Sequence, residues 1–350
     1  MSGAQTTQES GAQQLNLDAV SDWLQANLPG FTGPLTAEKF SGGQSNPTFR
    51  LTTPGASYVL RRKPPGTLLK SAHAVDREYR VQKALSGTNV PVPQMFVLCE
   101  DDSVIGSAFY VMEDVAGRTF DDPRLPGLEP AMRSRIYDEL NRVLVEIHSV
   151  DLSAAGLSDF GPEGSYYRRQ IDRWTRQYHT TATEDIPEMN RLMSWLDENA
   201  PEDDGRRMLV HGDYRIDNLL FEQNGAKCLA VLDWELSTIG HPFADLAALI
   251  MQWGRPTGPE HRGLLGVDRP ALGIPENDAF VADYCRRMNI DGIENFGFYV
   301  AFCAFRMAAI LQGVKKRALD GNASDPERGL QLGAYVPGFA EDGLMAAGNV

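Results

Sequence analysis

The chain is poor in the residues that would tie it to several common functional classes. Four of its 350 residues are cysteine, Cys99, Cys228, Cys285 and Cys303, and no two form a C-x-x-C pair. That spacing offers neither a zinc site nor a disulfide framework, and it fits a reducing compartment in which the thiols pack as small hydrophobes. Positive charge is scarce too, with 33 Lys and Arg against 47 Asp and Glu and a formal net charge of −14. A chain of that sign is a poor match for nucleic acid or an anionic membrane surface, although a local basic pocket is compatible with it. No run reaches the roughly 18 apolar residues of a bilayer span. The opening MSGAQTTQESGAQQ has neither a charged n-region nor an apolar h-region. The expectation is a cytoplasmic protein with no nucleic-acid and no membrane partner.

What is present is a large apolar fraction, 42%, enough for one large or two coupled domains. The Gln/Ser/Gly-rich residues 1–14 lack the apolar side chains that would order them and read as a disordered tail. LDAVSDWLQANLPG has helical spacing and a Pro-Gly stop, predicting a helix from about Asp18 to Leu28. FSGGQSNPTFRLTTPGASYVLRR reads as a Gly-rich loop and a β-hairpin, with alternating runs (Phe49, Leu51; Tyr58, Leu60) joined at Pro54-Gly55. A helix through SAHAVDREYRVQKAL and a strand in AFYVMEDVAG follow, and beyond Pro130 the pattern is mostly helical. The fold class is α+β in two lobes, a small β-rich N-lobe (15–113) and a larger, mostly helical C-lobe (114–350).

One stretch concentrates polarity beside a buried strand. HGDYRIDNLLF, His211 to Phe221, leads into EQNGAKCLAVLDW, whose Asn224-Gly225 is a strong hairpin signal. With those two as the loop, Asn218 faces Val231 and Asp233 faces Ile216, so Asn218 and Asp233 become diagonal neighbours on one face. An amide oxygen and a carboxylate at that reach suit one hard cation, and the expected occupant is Mg²⁺. Asp213 precedes Asn218 by five residues, and H-x-D-x-x-x-x-N is the spacing of a kinase catalytic loop.

HGDYRIDNLLF followed by VLDWELSTIGHPFADLA resembles the aminoglycoside phosphotransferase and choline kinase-like family, which has a protein-kinase-like fold. Within it the similarity is to the kinase domains that in animals are fused to acyl-CoA dehydrogenases, and it covers nearly all of the chain after the tail. The resemblance implies ATP and Mg²⁺ as cofactors, Asp213 as the catalytic acceptor of the substrate hydroxyl's proton, and Asn218 and Asp233 as metal ligands. The Gly-rich loop becomes Ser41, Gly42, Gly43, Ser45 and Asn46. It departs from the protein-kinase G-x-G-x-x-G, and by itself it reads equally as an ordinary hairpin turn. YVLR places Arg61 where a strand lysine would stand; Arg61 is the expected phosphate anchor, with Lys63, on the same face, as its rival. Glu78 resembles the helix glutamate that pairs with this cation, and backbone groups of Glu113 and Val115 would hold the adenine edge. His211 is expected to orient the loop, and Asp245, an N-cap by position, to brace it. Asp217 is expected to turn the loop, and His148 to end a helix in favour of its dipole. Glu235 is either a second metal ligand or part of the turn after Asp233.

Two other classes compete with a kinase. A metal-dependent hydrolase could use His211, Asp213, Asp233 and His241, but no H-e-x-x-H-type spacing is present and Arg61 goes unexplained. A catalytically dead nucleotide-binding module would have lost Asp213, Asn218 or Asp233, and all three remain. Only eleven residues separate Asp233 from Asp245, too few for the segment on which protein kinases lay a peptide, so the expected acceptor is a small-molecule hydroxyl. YYRRQIDRWTRQY places Ile171, Trp174 and Tyr178 on one helical stripe and Arg169, Arg173 and Arg176 on another. With the resemblance, that strip suggests an anionic hydroxy compound such as a hydroxyacyl-CoA, with Arg169, Arg173 and Trp174 as substrate contacts. An aminoglycoside is the alternative acceptor.

Overall fold

The computed structural model describes residues 15–40, 46–64, 74–258, 262–323 and 325–348. The chain divides into two compact units, one of residues 1–118, 220–223 and 229–235, the other of residues 119–219, 224–228 and 236–350. The first unit therefore takes in two short segments that a single boundary at residue 113 would give to the second lobe.

The first unit is a small antiparallel sheet with one helix on each face. Helix α1 (Leu17–Asn27) starts at Asn16, whose side chain accepts from the Ala19 N–H. Strands β1 (Thr36–Lys39), β2 (Thr48–Thr52) and β3 (Ser57–Arg62), helix α2 (Val75–Leu85), and strands β4 (Met95–Cys99) and β5 (Phe109–Glu113) follow, with sheet order β1-β2-β3-β5-β4. β2 and β3 form the hairpin that their alternation predicts, closed where the Thr53 N–H donates to Ala56 O (2.9 Å). β1 and β4 lack clean alternation and were not anticipated.

Alternation sorts the sheet into two faces. Phe49, Leu51, Leu60, Phe109 and Val111 pack with Val20 and Leu24 of α1. Val59, Tyr110 and Met112 pack instead with Val75 and Tyr79 of α2. Arg62, in phase with Leu60, lies over the Phe49 ring at 5.6 Å. Arg61, in phase with Val59, projects toward α2, where Glu78 receives it.

The remaining elements are α3 (Pro130–His148), α4 (Tyr166–Thr181), α5 (Pro187–Glu198), β6 (Met208–Val210), β7 (Leu219–Phe221), β8 (Cys228–Val231), β9 (Thr238–Gly240), α6 (Phe243–Trp253), α7 (Arg269–Leu272), α8 (Asn277–Met288), α9 (Phe296–Leu319), α10 (Pro326–Gly333) and α11 (Val336–Gly348). β6 pairs antiparallel with β9, and β7 with β8. α4, α5, α6, α10 and α11 all pack on α9. By length and composition α9 could cross a bilayer, which corrects the expectation that no run is long enough. Here it is a core helix, with 67% of its most apolar window buried. Its many alanines, Ala301, Ala304, Ala308 and Ala309 among them, are fully buried and let five helices approach it closely.

Candidate active site

β6 delivers the chain to His211, and the residue after it can only be glycine. Gly212 has φ +86°, and a Cβ there would lie 2.5 Å from Leu236 O. The His211 and Gly212 N–H groups both donate to the Asp245 carboxylate, at 2.6 and 2.8 Å. Asp245 is not an N-cap, a place held by Pro242. It sits within the first turn of α6, buried, and faces the loop. Burial opposes its ionisation, yet His148 and the His211 N–H hold its carboxyl below the ordinary range.

His148 is the last residue of α3, at the helix end where the sequence places it. It is buried, with Nδ1 2.8 Å from the Tyr284 hydroxyl and Nε2 3.4 Å from Asp245. His211 is buried as well, and its Nδ1 accepts from the Asp213 N–H at 3.3 Å.

Asn218 Nδ2 donates to Asp213 O (2.8 Å) and to the Asp213 carboxylate (3.2 Å). With its amide nitrogen turned to Asp213, Asn218 keeps Oδ1, the atom a hard cation takes. Arg215 was not singled out from sequence. Its Nε is 3.5 Å from Asp213, and Nη2 donates to Asp217 at 2.9 Å. Asp217 does more than turn the loop, because Arg262 also pairs with it. Burial pushes the Asp217 carboxyl up, against the pull of Arg215 and Arg262.

The strands of the expected hairpin end symmetrically about Asn224-Gly225, β7 at Phe221 and β8 beginning at Cys228, but the ladder is shorter than expected. Asn218 closes a 3₁₀ turn, Ile216–Asn218, and lies outside β7. The β7–β8 loop spans residues 222–227 rather than two residues, and β8 ends before Asp233. Asp233 has φ +66°, a left-handed conformation that costs a non-glycine residue roughly 1–2 kcal/mol. The buried Trp234, whose Nε1 donates to Val231 O at 2.9 Å, fixes the turn that imposes it.

Within the first unit a cation meets three carboxylates. Arg61 Nε is 2.9 Å from Glu78, Nη2 is 2.7 Å from Asp233, and Glu235 lies at 3.8 Å. Burial opposes the guanidinium's charge, but Glu78, Asp233 and Glu235 raise its pKa above the ordinary value. Glu78 also accepts from the Tyr110 hydroxyl and from Asn46 Nδ2, both at 2.9 Å. Burial pushes the Glu78 carboxyl up while Arg61 and these donors work the other way. Oxygens of Glu78, Asp233 and Glu235 lie within 4.8 Å of one another, so this trio fits a hard divalent cation by donor type and charge. Glu235 thereby joins the cluster that the sequence left undecided.

The other expected nucleotide contacts are scattered. Asn46 is buried and its Oδ1 has no hydrogen-bond partner. Ser41, Gly42, Gly43 and Ser45 lie outside the described residues. Lys63 turns from the Glu78 cluster to Asp76, 3.7 Å away. The Glu113 N–H donates to Gln94 O (2.9 Å) and its carboxylate accepts from the Gln94 N–H. Val115 N–H makes no hydrogen bond among the described residues.

On α4 the arginines do not converge. Arg169 donates to the carbonyls of Glu163 and Gly164, and Arg176 to Asp172 O. Arg173 is exposed and lies over the Trp174 ring at 5.2 Å, while Trp174 Nε1 donates to Gln170 (3.1 Å).

Comparison with known proteins follows the same geometry. The profile of the phosphotransferase enzyme family matches residues 36–276. Acyl-CoA dehydrogenase family member 10 of Mus musculus is 49% identical over 309 residues, which is 88% of this chain and 29% of that protein. Human acyl-CoA dehydrogenase family member 11 is 43% identical over 330 residues, 92% of this chain and 42% of that protein. The chain thus spans less than half the length of these relatives. A crystal structure from Ralstonia eutropha, described as a candidate aminoglycoside phosphotransferase, is 47% identical, with TM-score 0.88 over 96% of this chain and 99% of that one. A ternary complex of aminoglycoside phosphotransferase APH(4)-Ia with AMP-PNP and hygromycin B is 18% identical, with TM-score 0.61 over 94% of this chain and 98% of that one. At that identity the likeness shows the fold alone.

Proposed function

We propose, from the premise that the chain belongs to the phosphotransferase enzyme family, that it transfers the ATP γ-phosphoryl group to the hydroxyl of a small anionic acceptor. The observation that carries this reading is the loop at Asp213, whose carboxylate is held by Asn218 and in which the N–H of the preceding residue, Gly212, is tied to Asp245. Asp213 orients the acceptor hydroxyl and takes its proton as the oxygen attacks phosphorus in line. Arg61, kept charged by Glu78, is the phosphate anchor, with Asn46 beside Glu78. Backbone groups of Glu113 and Val115 take the adenine edge. Asn218 and Asp233 are the metal ligands, with Glu235 beside Asp233. Mg²⁺, when bound, neutralises the charge that develops on the transferred group.

Arg61→Ala is expected to raise KM for ATP roughly 10–100-fold, the worth of a charge-assisted hydrogen bond or two. Lys63→Ala, which breaks only the pairing with Asp76, should change it by less than about threefold. Steady-state kinetics at saturating Mg²⁺ test the pair, and the reverse order would make Lys63 the anchor.

Two observations favour an anionic hydroxyacyl acceptor, typified by a hydroxyacyl-CoA, over a cationic one: the arginine-rich helix α4 in a chain of charge −14, and relatives that are acyl-CoA dehydrogenase family members. Arg169, Arg173 and Trp174 are the proposed contacts, and of the two arginines Arg173 is the exposed one. The similar Ralstonia eutropha structure supports the second reading, an aminoglycoside acceptor. An acceptor screen reading ATP consumption across hydroxyacyl-CoAs, choline-like alcohols, sugars and aminoglycosides decides between them. The expected result is turnover with hydroxyacyl-CoAs that falls about tenfold in kcat/KM for Arg173→Ala. Phosphorylation of aminoglycosides with none of any anionic hydroxy compound would overturn the acceptor class and leave the transferase standing.

A further inference from the structure

Arg306 is the single charged residue in the apolar stretch Phe296 to Gly313 of α9. A lone cation in such a helix costs stability unless something offsets its desolvation. Among the described residues no carboxylate lies within ion-pair distance of it, and its one hydrogen-bond acceptor is Gly212 O, 2.6 Å from Nη2. Burial opposes its charge; Tyr166, Cys303, Asp245 and Asp213 keep its pKa raised.

Its only direct contact of this kind is thus with the peptide group that precedes Asp213. The neighbouring peptide group, His211–Gly212, is held as well: its N–H, that of Gly212, donates to the Asp245 carboxylate at 2.8 Å, while the carbonyl of Gly212 accepts from the Arg306 guanidinium. Gly212 has no Cβ and sits at φ +86°, so its own torsions restrain it less than any other residue of the loop would be restrained. We infer that Arg306 is a positioning residue for Asp213. Opposite charges grip the two polar groups of Gly212, fix the two peptide planes that meet there, and so set the direction in which the Asp213 carboxylate leaves the backbone. This rests on the reading of Asp213 as the group that orients the acceptor hydroxyl, whereas the grip itself consists of contacts within the chain.

The experiment uses the full chain with Arg306→Ala, Arg306→Met and Arg306→Lys. Ala and Met are good helix formers, and Met fills the arginine's volume in an apolar helix. Two readouts are taken: amide hydrogen exchange across Val210–Asn218, which needs no substrate, and ATP turnover with the best acceptor or with water as acceptor. The expected result is faster exchange at the loop amides and a kcat lower by roughly 100-fold in Arg306→Ala and Arg306→Met, the effect of misplacing a reacting group by about 1 Å. KM for ATP should stay within about twofold. Arg306→Lys, and added guanidinium ion with Arg306→Ala, should each restore part of the turnover. Unchanged exchange and unchanged kcat in Arg306→Met would overturn the inference. A fall in kcat matched by an equal loss of ATP affinity, with a lowered Tm and no rescue, would overturn it as well, since that marks a packing defect. Asp213→Asn run in parallel separates the two claims: if that variant keeps full turnover, the reading of Asp213 fails, while loop exchange still judges the grip.

Discussion

Asp213→Asn should lower kcat by roughly 10³-fold while leaving ATP affinity and Tm near their starting values. The amide keeps the shape of the carboxylate but can neither take the hydroxyl proton nor carry the charge that draws it, and general-base assistance is worth about 10²–10⁴ in rate. The local structure tolerates the change. The main tie from Asn218 goes to the backbone carbonyl of Asp213 at 2.8 Å, and the tie from His211 to its N–H, so neither depends on the altered group. Single-turnover kinetics together with calorimetric ATP binding are the measurements. Turnover near the unmodified rate would remove Asp213 from the chemistry, and with it the assignment of the loop.

Asp233→Ala should raise the Mg²⁺ concentration for half-maximal turnover on the order of 100-fold, and Asn218→Ala about tenfold, because a carboxylate neutralises the ion and an amide oxygen only coordinates it. Removing Asp233 also takes one of three carboxylates from the Arg61 cluster, leaving Glu78 at 2.9 Å to hold the guanidinium, so the unit should keep its fold. A Mg²⁺ titration of initial rate is decisive. An unchanged midpoint for Asp233→Ala would take that residue out of the metal site.

The parts of this fold that were legible in the sequence are those with a clean period. The β2–β3 hairpin and α1 lie within a residue or two of where alternation and helical spacing put them. The spacing of HGDYRIDN made one contact legible for a different reason: five residues joined by a short turn bring Asn218 back to Asp213, which it reaches at 2.8 and 3.2 Å. The β7–β8 hairpin centres on Asn224-Gly225 as read, but its ladder is shorter, because Asn218 spends its side chain on Asp213 and closes a 3₁₀ turn before β7. The partners of His148 could have been found. It lies one turn beyond Leu144, on the buried stripe of α3, so its ring must meet polar groups inside the lobe, and these are Tyr284 and Asp245. The signal for Arg306 was its solitude among apolar residues. The pairing of Asp217 with Arg262, 45 residues away, left no local trace.

The phase of β3 has a consequence for how this chain can be altered or compared with others. Along that strand the same period of two that seals Leu60 into the α1 core also hands Arg61, and not Arg62, to Glu78. Core and chemistry are therefore read in a single frame. A slip of one residue would be a frameshift in space: an arginine would still arrive on the α2 side, but Leu60 would leave the core and Arg62 would inherit its neighbour's partner. Length changes in the Thr53–Ala56 turn are thus neutral only when they preserve parity, and an alignment that matches arginine to arginine across β3 without its leucine has matched the wrong one.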